Sequence, residues 1–114
     1  MAIVMPEWIE NLLAEARRDV VYVFNITQGA YGGPKPMPSE AELPGLIEQV
    51  AEALLQRGCV VGFGDPDSNK WRVPNELHVP FGHKPSAISR SWVKSPEEFK
   101  FLVFALRRHN EHAA

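Results

Sequence analysis

The stretch LIEQVAEALLQRGCVVGFGDPDSNKWRV, residues 46–73, decides how this chain folds. Its first half keeps Leu46, Ile47, Val50, Ala51, Leu54 and Leu55 at helical spacing, which makes one apolar stripe for a core. Gly58 ends that helix, because glycine takes the left-handed conformation at a helix C-terminus without a Cβ clash. Cys59-Val60-Val61-Gly62-Phe63 has the apolar, β-branched content of a buried strand. The segment Gly64-Asp65-Pro66-Asp67-Ser68-Asn69 is turn chemistry, and Lys70-Trp71-Arg72-Val73 returns as a second strand.

The helix carrying this stripe is expected to begin at Ser39, with Glu42 completing a capping box. Upstream, residues 6–18 predict a helix: Pro6 suits a first-turn position, and Trp8, Ile9, Leu12, Leu13 and Ala16 fall on one face. Residues 19–29 fit either a strand, from Val20-Val21-Tyr22-Val23-Phe24, or a helix capped by Asp19. The helix is favoured because it needs no strand partner. Gly29 and Gly32-Gly33-Pro34 stop it, and the alternating Pro34, Pro36 and Pro38 predict an extended loop. Downstream, residues 74–95 read as irregular, with a short strand or turn around Leu77-His78-Val79 as an option. Ser95-Pro96-Glu97-Glu98 opens a final helix, with Phe99, Leu102, Val103 and Leu106 buried and Phe101, Phe104 and Ala105 widening the stripe. A helix so apolar is expected at the centre of the fold.

Length and charge set bounds. The 114 residues are one domain, enough to bury a core without staples. The net charge is −2, so no overall basic field collects phosphates. Cys59 is the only cysteine, which rules out an intrachain disulfide and fits a reducing compartment. No signal peptide or bilayer-spanning run is read, and the expected address is cytoplasmic.

Candidate chemistry is sparse. Asp65, Asp67, Asn69 and Glu76 have the spacing of calcium-loop ligands, but Lys70 stands where the loop needs glycine and Arg72 where it is usually aliphatic. A hairpin turn explains the same residues. Gly62-x-Gly64 lacks the third glycine of a dinucleotide fingerprint. His78 with His83, and His109 with His112, lack the further ligands a zinc site requires. Cys59 reads as a buried structural thiol. No nucleophile, acid–base pair, metal site, cofactor site or phosphate cradle is read, so catalysis is not expected. His83, Lys84, Arg90 and Lys94 around Trp92 form a modestly basic segment that could grip a single strand.

Helix, strand, turn, strand is how a winged-helix unit ends, and such units commonly read DNA with that helix and hairpin. The expected fold is therefore α+β and mostly helical: about four helices in a winged-helix-like arrangement, with one β-hairpin after the third. The charge opposes DNA. Residues 39–57 carry Glu40, Glu42, Glu48 and Glu52 against Arg57 alone, and the turn adds Asp65 and Asp67. Carboxylates facing phosphates repel them and forfeit counterion release. An acidic helix and turn suit a basic protein instead.

Several short motifs bear on this. Gly29-Ala30-Tyr31-Gly32-Gly33-Pro34 closes an early aromatic segment, Leu54-Leu55-Gln56-Arg57-Gly58 leads into Val60-Val61-Gly62-Phe63-Gly64-Asp65, and Trp71 follows the turn. Trp92 then precedes Pro96-Glu97-Glu98-Phe99. With these motifs the chain resembles small bacterial immunity proteins of polymorphic-toxin and contact-dependent-inhibition systems, over about two-thirds of its length. The resemblance implies a cognate toxin neutralised by direct binding, without catalysis. It carries over no contact residue, since such surfaces diverge quickly. From the charge pattern, Glu48, Glu52, Asp65, Asp67 and Glu76 are expected to supply the binding charge, with Tyr31 as an aromatic anchor. The alternative expectation is a winged-helix nucleic-acid-binding regulator using residues 84–94.

Overall fold

A computed structural model describes residues 5–65, 70–72, 85–99 and 102–106. The protein is α+β and mostly helical. The first helix, α1 (Pro6–Arg18), has the expected bounds, and Trp8, Ile9, Leu12, Leu13 and Ala16 are all buried. A two-residue strand β1 (Val21–Tyr22) runs into a short helix α2 (Val23–Thr27). Asn25 Oδ1 accepts the Tyr22 N–H at 2.9 Å, which starts α2 at Val23. A loop leads to a single 3-10 turn (Glu40–Glu42) and then to α3 (Leu43–Gln56). Strand β2 (Cys59–Asp65) and strand β3 (Lys70–Arg72) follow and pair antiparallel. Helix α4 (Pro85–Lys94), helix α5 (Pro96–Phe99) and strand β4 (Leu102–Leu106) complete the described chain.

The strands form one sheet in the order β1-β4-β2-β3. Strand β4 is antiparallel to β2 over its whole length, from Cys59 opposite Leu106 to Phe63 opposite Leu102. On its other side Val103 and Phe104 face Tyr22 and Val21 of β1. Alternation sorts the side chains. Val21, Cys59, Val61, Leu102 and Phe104 join the main core with the apolar faces of α1, α2, α3 and α4. Val103 and Ala105 point the other way and are buried with Val20, against Tyr22 and Val60.

Three expectations need correcting. The final helix does not continue past Phe99. Its cap signal is real, but it starts only the four-residue α5, and the apolar run after it is the central strand β4. A strand buried on both faces is apolar at every position, which removes the periodicity that separates strand from helix. Residues 19–29 are not one helix, because β1 does have a partner, supplied by β4 some eighty residues later. Residues 85–94 are helical rather than irregular. Pro85 sits at a helix start, and Ile88 and Ser89 are buried. Serines at 86, 89 and 91 blur the apolar stripe in the sequence. Ser89 can be buried because its hydroxyl donates to the Pro44 carbonyl at 2.7 Å, which ties α4 to the start of α3. The described residues thus hold five α-helices rather than about four.

Ser39 and Glu42 do interact, although the helix proper starts four residues after Ser39. The Ser39 hydroxyl donates to Glu42 Oε1 at 3.1 Å. Hydrogen bonds from the Ser39 side chain and backbone hold the Glu42 carboxyl below its ordinary range. Gly58, at φ +97°, ends α3 as expected.

Phe104 is fully buried, with Val21 and Val61 opposite it on the two neighbouring strands. Phe104→Ala is expected to lower the unfolding free energy by about 3–5 kcal/mol in urea titration. A cost below about 1 kcal/mol would mean that β4 is not central.

Candidate functional surface

Helix α3 has two sharply different faces. Leu46, Ile47, Val50, Ala51 and Leu54 are buried in the core. Gly45, Glu48, Glu52 and Gln56 are exposed and recur every three or four residues, so they form one outward ridge. Glu48 and Glu52 stand one turn apart on it, and neither carboxylate makes an ion pair or hydrogen bond among the described residues. Arg57, the one cation of this segment, is engaged elsewhere. Its Nη1 lies 2.5 Å from Glu10 Oε2, and both side chains are about half exposed. That pair neutralises Glu10 and leaves the ridge negative. As a surface ion pair it adds little stability.

The expected binding residues are only partly brought together. Glu48 and Glu52 share the ridge. Asp65 ends β2 and pairs in register with Lys70. Asp67 and Glu76 lie outside the described residues, as do His78, His83, His109 and His112 and most of the segment with calcium-loop spacing. Among the described residues no group of three or more His, Cys, Asp or Glu could hold a metal ion.

Tyr31 is elsewhere, on a loop clamped to α1. The Trp8 indole N–H donates to the Ala30 carbonyl at 2.8 Å, and Asn11 Nδ2 donates to the Tyr31 carbonyl at 2.9 Å. The loop closes on itself: the Gly33 N–H donates to the Gly29 carbonyl at 3.0 Å. A Cβ at Gly33 would come within 2.6 Å of the Gly29 Cα, so only glycine fits there. Tyr31 itself has φ +63°, a conformation that costs a side chain with a Cβ about 1–2 kcal/mol. Its side chain is 41% exposed. Burial, and next the negative charge of Glu15, push the tyrosine pKa up. Glu15 is only 13% exposed and accepts from Arg18 Nη2 at 2.6 Å. A loop whose backbone is held on both sides of a strained residue by Trp8 and Asn11 is pre-organised to display the Tyr31 ring.

Trp8 and Asn11 carry no sequence sign of holding the Tyr31 loop, because contacts across some twenty residues have no periodic signal. The basic segment is also rearranged. Arg90 and Lys94 are exposed on α4, but Trp92 packs partly buried against the core. An indole so placed does not alternate with cations as a stacking platform for bases.

Cys59 is buried at the start of β2, as expected. Burial pushes its thiol up to about 11, so it is protonated and inert at neutral pH. Thiol reagents at pH 8 are expected to modify the unfolded chain and spare the folded one. The raised value also fixes a sign. Up to about pH 9, the ordinary thiol value, both states keep the proton; between there and about 11 the unfolded chain loses it first. Stability should therefore fall with rising pH across that window, and Cys59→Ala should flatten the fall in pH-dependent denaturation.

Among the described residues no helix is long and apolar enough to cross a membrane. Comparison with known proteins gives no match: no family model, no curated protein and no solved structure matches the chain.

Proposed function

We propose that this chain is a non-catalytic inhibitor of the immunity type, which binds and neutralises a cognate bacterial toxin in the cytoplasm through its acidic face. The carrying observation is the exposed Glu48–Glu52 ridge on α3, whose carboxylates have no countercharge among the described residues. Like charges one helical turn apart repel each other. A basic partner relieves that repulsion, and its long-range attraction speeds encounter. Tyr31 supplies the anchor: a large, rigid ring on a loop already ordered before binding, so little entropy is lost on contact. Asp65, Asp67 and Glu76 extend the negative field in this reading.

The finer architecture belongs to the same proposal. In a winged-helix-like description, α3 takes the place of the helix that would enter a groove and β2–β3 that of the wing, while β4 is an added strand. The acidic ridge then occupies the position where a DNA reader would carry arginine, lysine, asparagine or glutamine. The second reading, a winged-helix nucleic-acid-binding regulator, draws on the exposed Arg90 and Lys94 of α4. Two cations are thin support beside an acidic helix.

The test is a pull-down with the tagged chain at low salt, with and without nuclease, followed by co-expression of whatever is captured. One stoichiometric protein should survive nuclease, be toxic when expressed alone, and be neutralised by this chain. Nucleic acid in the eluate, with proteins lost on nuclease treatment, supports the regulator instead. With the partner in hand, E48K/E52K should slow association about tenfold or more at low salt, and equal rates would remove α3 from the interface. Tyr31→Ala should weaken the complex by about tenfold or more, chiefly through faster dissociation, while thermal unfolding shows the fold retained.

A further inference from the structure

A second unpaired charge ridge lies on the helix beside the first. Helix α4 packs against α3, and the Ser89 hydroxyl is bonded to the Pro44 carbonyl. The buried residues of both helices belong to the same core, so both exposed ridges face away from it. On α4 the ridge is Arg90, Val93 and Lys94. Arg90 and Lys94 are one turn apart, as Glu48 and Glu52 are on α3, and neither cation makes an ion pair among the described residues. Each helix thus carries a repelling i,i+4 pair of like charge, one negative and one positive, and the two pairs do not neutralise each other within the chain. Between the cations in sequence, Val93 is a large apolar residue that is 52% exposed.

We propose that the α3–α4 face is a self-complementary surface that pairs with a second copy of this chain. A twofold axis presents α4 of each copy to α3 of the other, so the acidic ridge meets the basic ridge twice. All four like-charge repulsions are relieved at once, and Val93 is covered at the rim. Two charged ridges make a small, polar interface, so the dimer is weak, salt-sensitive and in exchange with monomer. The same carboxylates serve the inhibitor reading, so the dimer withholds the acidic ridge until a partner competes for it. The pairing argument does not depend on that reading.

The experiment is sedimentation equilibrium of the full chain and two double variants, E48K/E52K and R90E/K94E, at about 50 mM and about 500 mM salt. The wild type should dimerise at low salt, with a dissociation constant raised about tenfold or more at high salt. Each variant alone places like charge against like and should stay monomeric. An equimolar mixture of the two restores opposite charges at both contacts and should form a heterodimer. Circular dichroism of each variant confirms folding, and the mixture rescues association only if both chains are folded. Monomer throughout for the wild type overturns the proposal, as does a dimer that both variants retain, or a mixture that stays monomeric. No toxin enters the experiment, so its failure leaves the inhibitor reading standing.

Discussion

Everything in this fold leans on β4. The strand reaches into the middle of the sheet and pairs with β2 along its full length and with β1 at Val103 and Phe104. Without it β1 would be two residues with nothing to bond, and β2–β3 an isolated hairpin, which is marginal in water. Phe104 and Leu102 meet the helical layer on one face, while Val103 and Ala105 are buried on the other. The sheet is therefore complete only when the last described element is in place, and its key pairings are long-range in sequence. Such topologies form more slowly than helical bundles of similar size.

That dependence explains what the sequence could and could not disclose. Helix α1 is legible in its bounds and α3 in its buried face and its end, though not in its start, because each has one buried and one wet face and so carries a clear 3.6-residue period. The exposure of Glu48 and Glu52 followed from the same period. Strand β4 was illegible for the opposite reason. Leu102-Val103-Phe104-Ala105-Leu106 is apolar throughout, and it follows a genuine helix start at Ser95-Pro96, so local signals favoured the wrong element. Strand β1 is hidden in turn, since the segment that pairs with it carries the signals of a helix. Helix α4 was obscured by serines, one of them acceptable in the core only because of a carbonyl forty-five residues away.

The candidate surface shows the same split. A helix period reveals which carboxylates face water, but not whether a cation sits beside them. Arg57 looked like the natural countercharge for α3, yet it reaches across to Glu10. Tyr31 looked like an exposed aromatic in a glycine-rich loop. Its left-handed backbone and the clamp of its loop through Trp8 and Asn11 are tertiary facts. They change its meaning from a residue on a loose loop to one on a loop held in place at a cost in backbone strain. The core and the surface are thus linked through α1, which buries Trp8 to build the core and uses the same indole to position the loop.

We propose that α3 offers its unneutralised acidic ridge to a basic protein. The most direct measurement is the association rate of the purified partner with the wild-type chain and with E48Q/E52Q, followed across ionic strength. A rate that falls steeply with salt for the wild type and is slower and nearly flat for the neutral variant is the predicted result, because the steering charge has been removed without adding a repulsion. Identical rates and identical salt slopes for the two chains would move the interface off α3.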